Sequence, residues 1–383
     1  MRTCYLLLLF LSLLSCQPKD KFSWNAGLSA PKNYVAGGPF VEYFYKGKSI
    51  GGTSSSVGIN PGWGITSGGY TGGDIYKDVP DSAVVSWTCG FDMVNYKGGF
   101  RLPREKMLNL FKEKATDSDT GKTTDYSLIV AGMAPGGNVS IWMQGGGENV
   151  EIDKFKANII SKDDRYDKSL ITLWTSTGEE AKDILRYIKL HGIPYSVWEK
   201  GEKEYNYDIG FVDEEDKDFY INISGISKSG SYIFFNQDVK VFPYSKWMNN
   251  MIERKKALGK DKLPVNASVQ WTSRDNKQWY EGEIVFPINF QTIYENFYNK
   301  YKSANIIFVM DKIDVSLDYT FGSIWLQSSF GKEKVMKFRL AKLDYFTRKY
   351  NVSKYSVPKG FVFPKWEGRE KLTFPEIDYW QEK

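Results

Sequence analysis

Histidine and cysteine are almost absent from this sequence of 383 residues: one histidine, His191, and three cysteines, Cys4, Cys16 and Cys89. A serine triad would have to be built on that one imidazole, and no G-x-S-x-G elbow surrounds any serine. A zinc site would lack a second imidazole. Three cysteines allow at most one disulfide, so most of the stability has to come from packing. Charge of one sign is also missing: the net charge is +5 with Lys and Glu interspersed, and nucleic acid is not implied as a partner. No run reaches the ~20 apolar residues of a membrane-spanning helix. These absences leave no assigned catalytic residue, metal ligand or cofactor.

What the start of the chain does have is Met1 and Arg2, then Tyr5 to Leu14 built almost wholly of Leu, Phe and Ser, then polar residues after Cys16. That is the pattern of a secretion signal. Leu13-Leu14-Ser15-Cys16 resembles the bacterial lipobox, so residues 1–15 are read as a lipoprotein signal peptide and 16–21 as a tether lipidated at Cys16. An uncleaved signal anchor and a disulfide are the rival readings. Cleavage would remove Cys4 and lipidation would occupy Cys16, which leaves Cys89 without a partner. Acyl chains at ~0.8 kcal/mol per buried methylene make two or three of them an effectively permanent anchor. Gln17 stands where an Asp would favour the inner membrane, so the expectation is the outer membrane, on the periplasmic face rather than the cell surface.

With 42% hydrophobic and 25% charged residues the chain can bury a core. Self-similarity organises it. Pro80, Ala83, Val85, Trp87, Thr88, Tyr96, Gly98 and Pro103 recur as Pro264, Ala267, Val269, Trp271, Thr272, Tyr280, Gly282 and Pro287, each 184 positions on. Ser140, Ile141, Trp142, Gln144 and Phe155 recur 183 positions on as Ser323, Ile324, Trp325, Gln327 and Phe338. The repeated strands alternate with period 2, Ala267, Val269 and Trp271 facing one way. After Pro287, Phe290, Ile293, Tyr294, Phe297, Tyr298 and Tyr301 form one helical stripe; Met107, Leu110 and Phe111 do the same after Pro103.

The fold class expected is therefore α+β and β-rich: two homologous antiparallel-sheet lobes, 22–163 and 205–345, each with one packed helix. They are joined by a helical connector over 164–204. In the connector Thr177 with Glu180 reads as a capping box, Ala181, Ile184, Leu185 and Ile188 as an apolar stripe, and Gly192 with Pro194 as the stop. The helix is expected to pack between the lobes, with His191 meeting its last carbonyls. The aromatic tail, 346–383, is expected to dock on the lobes.

Several strings resemble a bacterial lipoprotein family catalogued as domain of unknown function 2931: Trp24, Ser29-Ala30-Pro31 with Tyr34, Gly62-Trp63-Gly64, Trp87, and Tyr96-x-Gly98-x-Phe100-x-Leu102-Pro103. In the second lobe Trp271 and the stretch from Tyr280 to Pro287 fit, but Val212-Asp213-Glu214 replaces Ser-Ala-Pro and no Gly-Trp-Gly occurs. The resemblance implies a lipid-anchored envelope protein, and family members stand beside toxin genes of contact-dependent secretion systems, which suggests immunity proteins.

Other motifs are bland. "TGKTT" at 120–124 lacks the first glycine of a phosphate loop and the required strand–loop–helix order, so it reads as a connecting loop. "DEEDKD" at 213–218 lacks the glycine and closing Glu of a calcium loop and reads as a solvated turn. "ERKKALGKDK" at 253–262 reads as a solvated helix end. The positive signal is on the strands "VSIWMQG" and "GSIWLQS", where alternation puts Ser140, Trp142 and Gln144, and likewise Ser323, Trp325 and Gln327, opposite the core-facing residues. A tryptophan between a hydroxyl and an amide can grip a sugar ring or a partner's side chain; the plainer alternative is a second-layer core residue. Trp63 carries the same choice between close packing and an exposed platform. The expected function is a non-catalytic, lipid-anchored envelope binding protein with a protein partner, in its sharpest form an immunity protein against a secreted toxin. The alternatives are a glycan- or peptidoglycan-binding lipoprotein and a hydrolase with paired carboxylates.

Overall fold

The computed structural model describes residues 20–67, 74–117, 120–162, 178–213, 219–240, 242–243, 260–273, 278–311, 316–344, 355–357 and 380–381. The signal segment, Cys16, Thr177 of the capping box, most of "DEEDKD" and residues 253–259 lie outside them. The chain divides into two compact units, Met1–Ala181 and Lys182–Lys383. The division falls inside the connector helix.

In the first unit the strands are β1 (Asn25–Ser29), β2 (Ala36–Tyr45), β3 (Lys48–Ser54), β4 (Ser82–Cys89) and β5 (Val94–Arg101). Helix α1 (Arg104–Glu113) follows, then β6 (Leu128–Ala134), β7 (Asn138–Gly145), β8 (Glu148–Lys156) and β9 (Asn158–Lys162). They form two sheets, ordered β9-β5-β4-β2-β3 and β8-β7-β6-β1. The expectation of purely antiparallel lobes is corrected here: β1 pairs parallel with β6, Gly27 opposite Val130. A parallel neighbour needs a long crossover, and the connection from β1 to β6 contains β2 to β5 of the other sheet and α1.

Alternation in the sequence survives folding. Ala83, Val85, Trp87 and Cys89 of β4 are buried while Ser82, Val84, Ser86 and Thr88 are half-buried, and Trp87 stacks on Tyr96 of β5 at 4.9 Å. Cys89 is a buried free thiol whose pKa burial pushes well up, so it behaves as a small apolar side chain. Helix α1 buries Met107 and Phe111 as spacing predicts, with Leu108 buried and Leu110 half-buried where spacing predicts the reverse. Phe22 stacks on Phe111 at 4.6 Å, and the Lys106 ammonium donates to Glu151 O and Ile152 O of β8.

The second unit opens with helices α2 (Gly178–His191) and α3 (Tyr195–Lys200). Ile184, Tyr187, Ile188 and Leu190 are the buried side of α2. Its Arg186 bonds Glu283 at 3.0 Å, a partner within the same unit. Strands β10 (Ile209–Asp213), β11 (Phe219–Ser227), β12 (Tyr232–Lys240), β13 (Pro264–Ser273) and β14 (Trp279–Val285) precede α4 (Phe290–Tyr301). Strands β15 (Asn305–Met310), β16 (Tyr319–Ser328) and β17 (Gly331–Lys342) complete it. They run β12-β11-β13-β14-β17-β16-β15-β10 in one eleven-stranded sheet, with β10 parallel to β15. Strand β17 does in one piece what β8 and β9 do in two, pairing along β16 and then, at Ala341 and Lys342, with β14.

Phe290, Tyr294 and Phe297 of α4 are buried, Ile293 and Tyr301 are partly buried, and Tyr298 is exposed. They pack with Trp271, Tyr280, Phe308 and Phe338 in one apolar core. From the tail, residues Tyr355–Val357 add as a short parallel strand to β14.

Candidate functional site

Trp63 and Trp142 are not a surface. Trp63 is 7% exposed and Trp142 5%, and their rings meet edge to face at 4.9 Å and 87°. This corrects the expectation of an aromatic platform in the first unit. The reason lies in the loop after β3: it folds Gly62-Trp63-Gly64 down over the face of β7 that alternation had left open. Two features make room for both indoles. Gly132 of β6 lies opposite Ser140, and a Cβ there would come within 2.4 Å of Trp142 and 2.8 Å of Trp63. Gly62 and Gly64 have φ of +122° and +85°, conformations that side-chain-bearing residues rarely adopt, so the backbone can turn on either side of the tryptophan.

The loop is held from below by the Ser-Ala-Pro string. Ser29 Oγ donates to Gly62 O at 2.9 Å and accepts from Gly64 N at 3.1 Å, both buried. Gly62 N donates to Ala30 O at 3.0 Å, and Ser67 N to Leu28 O at 2.9 Å. From above, Gln144 Nε2 and Asn149 Nδ2 both donate to Gly64 O, and Gln144 also donates to Asn149 Oδ1 at 3.2 Å. Gln144 is thus a clamp on the loop. Ser140 is fully buried and its Oγ has no partner among the described residues, so it cannot serve as an exposed hydroxyl.

Beside this clamp lies a cleft of about 420 Å³ between Gly64, Ile65 and Thr66 on one wall and the Gly145-Gly146-Gly147 turn on the other. Ser127 and Leu128 also line it. Ile65 is exposed at 41%. Among the described residues Glu148 is the one carboxylate lining the cleft; Tyr126 OH at 2.6 Å and Thr116 N at 2.9 Å hold it below the usual carboxylate range. Burial and the same bond push Tyr126 up to about 12. The cleft presents a single, readily ionised carboxylate, whereas glycoside cleavage by paired carboxyls needs a second one with a raised pKa. Sequence reading did not single out Ser29, Asn149, Tyr126 or Glu148. Ser29 stood inside a quoted string, but its hydroxyl reaches a loop 33 residues on, a contact no local spacing encodes.

In the second unit the repeated strand behaves differently. Ser323 and Gln327 are buried and Trp325 is half-buried, packed against Val212, Ile307 and Val309. Trp325 Nε1 donates to Ser323 Oγ at 2.9 Å, and the Lys332 ammonium stands 5.3 Å from its ring centre. Among the described residues, no group of three His, Cys, Asp or Glu side chains could hold a metal ion, and no helix is long and apolar enough to cross a membrane.

Residues 15–196 match the model of the family described as Protein of unknown function (DUF2931). The match spans the first unit with the Ser-Ala-Pro and Gly-Trp-Gly strings and runs through α2. No curated protein and no solved structure matches the chain.

Proposed function

We propose that this is a lipid-anchored envelope binding protein, held in the outer membrane by acyl groups on Cys16, which recognises a protein partner at the cleft of its first unit. Immunity against a secreted, envelope-active toxin is its sharpest form. The observation that carries the reading is the Ser29 clamp on Gly62 and Gly64, whose bonds within the chain fix Ile65 and Thr66 at the rim of a cleft. Binding by a rigid surface avoids the ordering cost that a mobile loop incurs. A stable protein complex buries ~1,600 Å² in total, so the cleft would be its centre, with Ile65 as the apolar anchor. The two units share a strand order and a set of repeated residues, which supports their descent from one duplicated unit.

A glycan-binding reading has one observation in its favour: Trp325, half-buried in the second unit, keeps part of its indole accessible.

The test uses the whole chain in its native membrane with a photo-crosslinking residue at position 65 or, separately, 325. Position 65 is expected to give one saturable protein adduct, lost with Asn149→Asp. Carbohydrate adducts at 325 alone would favour the glycan reading, and no saturable adduct at 65 would refute the cleft as the recognition site. Cys16→Ala is expected to abolish metabolic acyl labelling; unchanged labelling would remove the anchor from the proposal.

A further inference from the structure

The second unit has a pocket of its own, about 440 Å³, between the last turn of α2, helix α3 and the segment leading into α4. Ile193, Pro194, Val197, Leu263, Phe286 and Phe290 make its walls apolar. That volume lies in the ~300–1,000 Å³ range of small-molecule sites.

Four ionisable side chains line it: His191, Glu202, Lys203 and Lys228. Two are already engaged. Glu202 accepts from Ser227 Oγ at 2.8 Å and from the backbone N–H groups of Lys228 and Ser229 at 3.0 Å each, so it caps the turn after β11. Lys203 donates to Glu295 on α4 at 2.7 Å. The other two are not engaged. The Lys228 ammonium is exposed and has no hydrogen bond or ion pair among the described residues. His191 lies with its ring 4.3 Å from that of Tyr187, and its Nε2 is enclosed without a hydrogen-bond partner. An enclosed ring nitrogen left unpaired carries a desolvation cost, which a ligand atom placed against it would relieve. His191 stands in the last turn of α2 as expected, but its Nε2 does not bond the helix's last carbonyls.

We propose that this pocket binds a small amphiphile with one anionic head and an apolar body, the head between His191 and Lys228 and the body against Pro194, Val197 and Phe286. The sign follows from what is unanswered. A cationic head would be repelled by Lys228, whereas an anionic one pairs with it; the Glu202 carboxylate keeps its charge but is held among neutral donors in the turn it caps. An oxyanion accepts from both the ammonium and an imidazole N–H, and such charge-assisted bonds are roughly twice as strong as neutral ones. Burial, with Lys228 nearby, holds the imidazole down to about 3, so His191 is neutral. A bound anion acts in the opposite direction and favours its protonation. The inference stands independently of the cleft in the first unit.

Because the chain has a single histidine, labelling with ¹⁵N-histidine gives one imidazole to watch. The whole chain in phosphatidylcholine nanodiscs is titrated with octanoate and, separately, with octanamide, with empty nanodiscs subtracted. Octanoate is expected to saturate, to shift the ring nitrogens of His191 and to move the imidazole titration to higher pH. Octanamide is expected to bind at least about tenfold more weakly. Lys228→Met, a change at an exposed side chain, should remove most of that difference. Equal binding of the two ligands, octanoate binding that leaves the His191 signals unmoved, or no saturable binding would each overturn the proposal.

Discussion

Replacing Ser29 by alanine removes one hydroxyl and tests whether the Gly-Trp-Gly loop is held as the geometry indicates. Ser29 Oγ donates to Gly62 O and accepts from Gly64 N. The two losses are unequal. Gly62 O also accepts from Ile65 N at 3.0 Å, so it keeps a partner, and the loss there is that of one ordinary bond, ~0.5–1.5 kcal/mol. The Gly64 N–H, buried beneath Asn149, loses its acceptor and takes the larger penalty of an orphaned donor, ~1–3 kcal/mol. Together they lower the free energy of local loop opening by about 1.5–4.5 kcal/mol, or roughly 12- to 1,600-fold in the opening equilibrium. A chain of two units need not unfold in one step, so the assay is amide exchange by mass spectrometry, peptide by peptide. Residues 62–66 should exchange faster by that factor, while residues 305–310 of the second unit are unchanged. Acceleration below about threefold at 62–66 would refute the clamp, since the two losses together are worth at least about 1.5 kcal/mol.

Three further outcomes follow from the same geometry. Gly132→Ala should destabilise the first unit by ~1–3 kcal/mol through overpacking, because its Cβ meets both indoles; an unchanged urea midpoint would mean that Trp63 and Trp142 can move apart freely. Ser140→Ala should be neutral or stabilising by up to ~1 kcal/mol, since it removes a buried hydroxyl without a partner; a clear loss of stability would show that the hydroxyl has an acceptor in solution. Burial raises the Asp261 carboxyl to about 6, Glu202 and Glu204 add to this and Lys262 opposes it, so the folded state holds its proton more tightly than the unfolded chain. Stability of the second unit should therefore fall as pH rises from about 4 to about 6, a slope that Asp261→Asn flattens; an identical slope in the variant would assign the effect to another group.

How much was legible divides along the range of the contacts. Period-2 alternation in β4 and β13 and the α4 stripe put Trp87, Trp271, Tyr294 and Phe297 inside, because neighbours on one face of an element are fixed by its own geometry. In the α1 stripe Met107 and Phe111 fell inside and one member differed, Leu108 buried in place of Leu110, since a ten-residue helix can roll slightly to suit the sheet it meets. Tertiary cover could not be read. Alternation correctly placed Ser140, Trp142 and Gln144 opposite the β7 core face, but what lies over that face comes from a loop about 80 residues earlier, through Gln144 to Gly64. The parallel pairing of β1 with β6 was hidden for the same reason.

The geometry also explains a pattern that the strings alone leave as coincidence. Ser-Ala-Pro and Gly-Trp-Gly are both present in the first unit and both missing from the second. Each is of limited use without the other: Ser29 without the loop would be a buried hydroxyl lacking its two partners, and the loop without Ser29 would leave Gly64 N–H unpaired. Loss of either string removes the main constraint on keeping its partner, so the two should disappear together. The strand beneath is free of that dependence, because Ile324 and Leu326 still fill the core whatever covers the opposite face. This accounts for "SIW" and the following glutamine recurring in both units while the loop that buries Trp142 does not. Any recognition that depends on the clamped loop accordingly belongs to the first unit, and the second has a pocket of its own, walled by α2 and α3 and built without that loop.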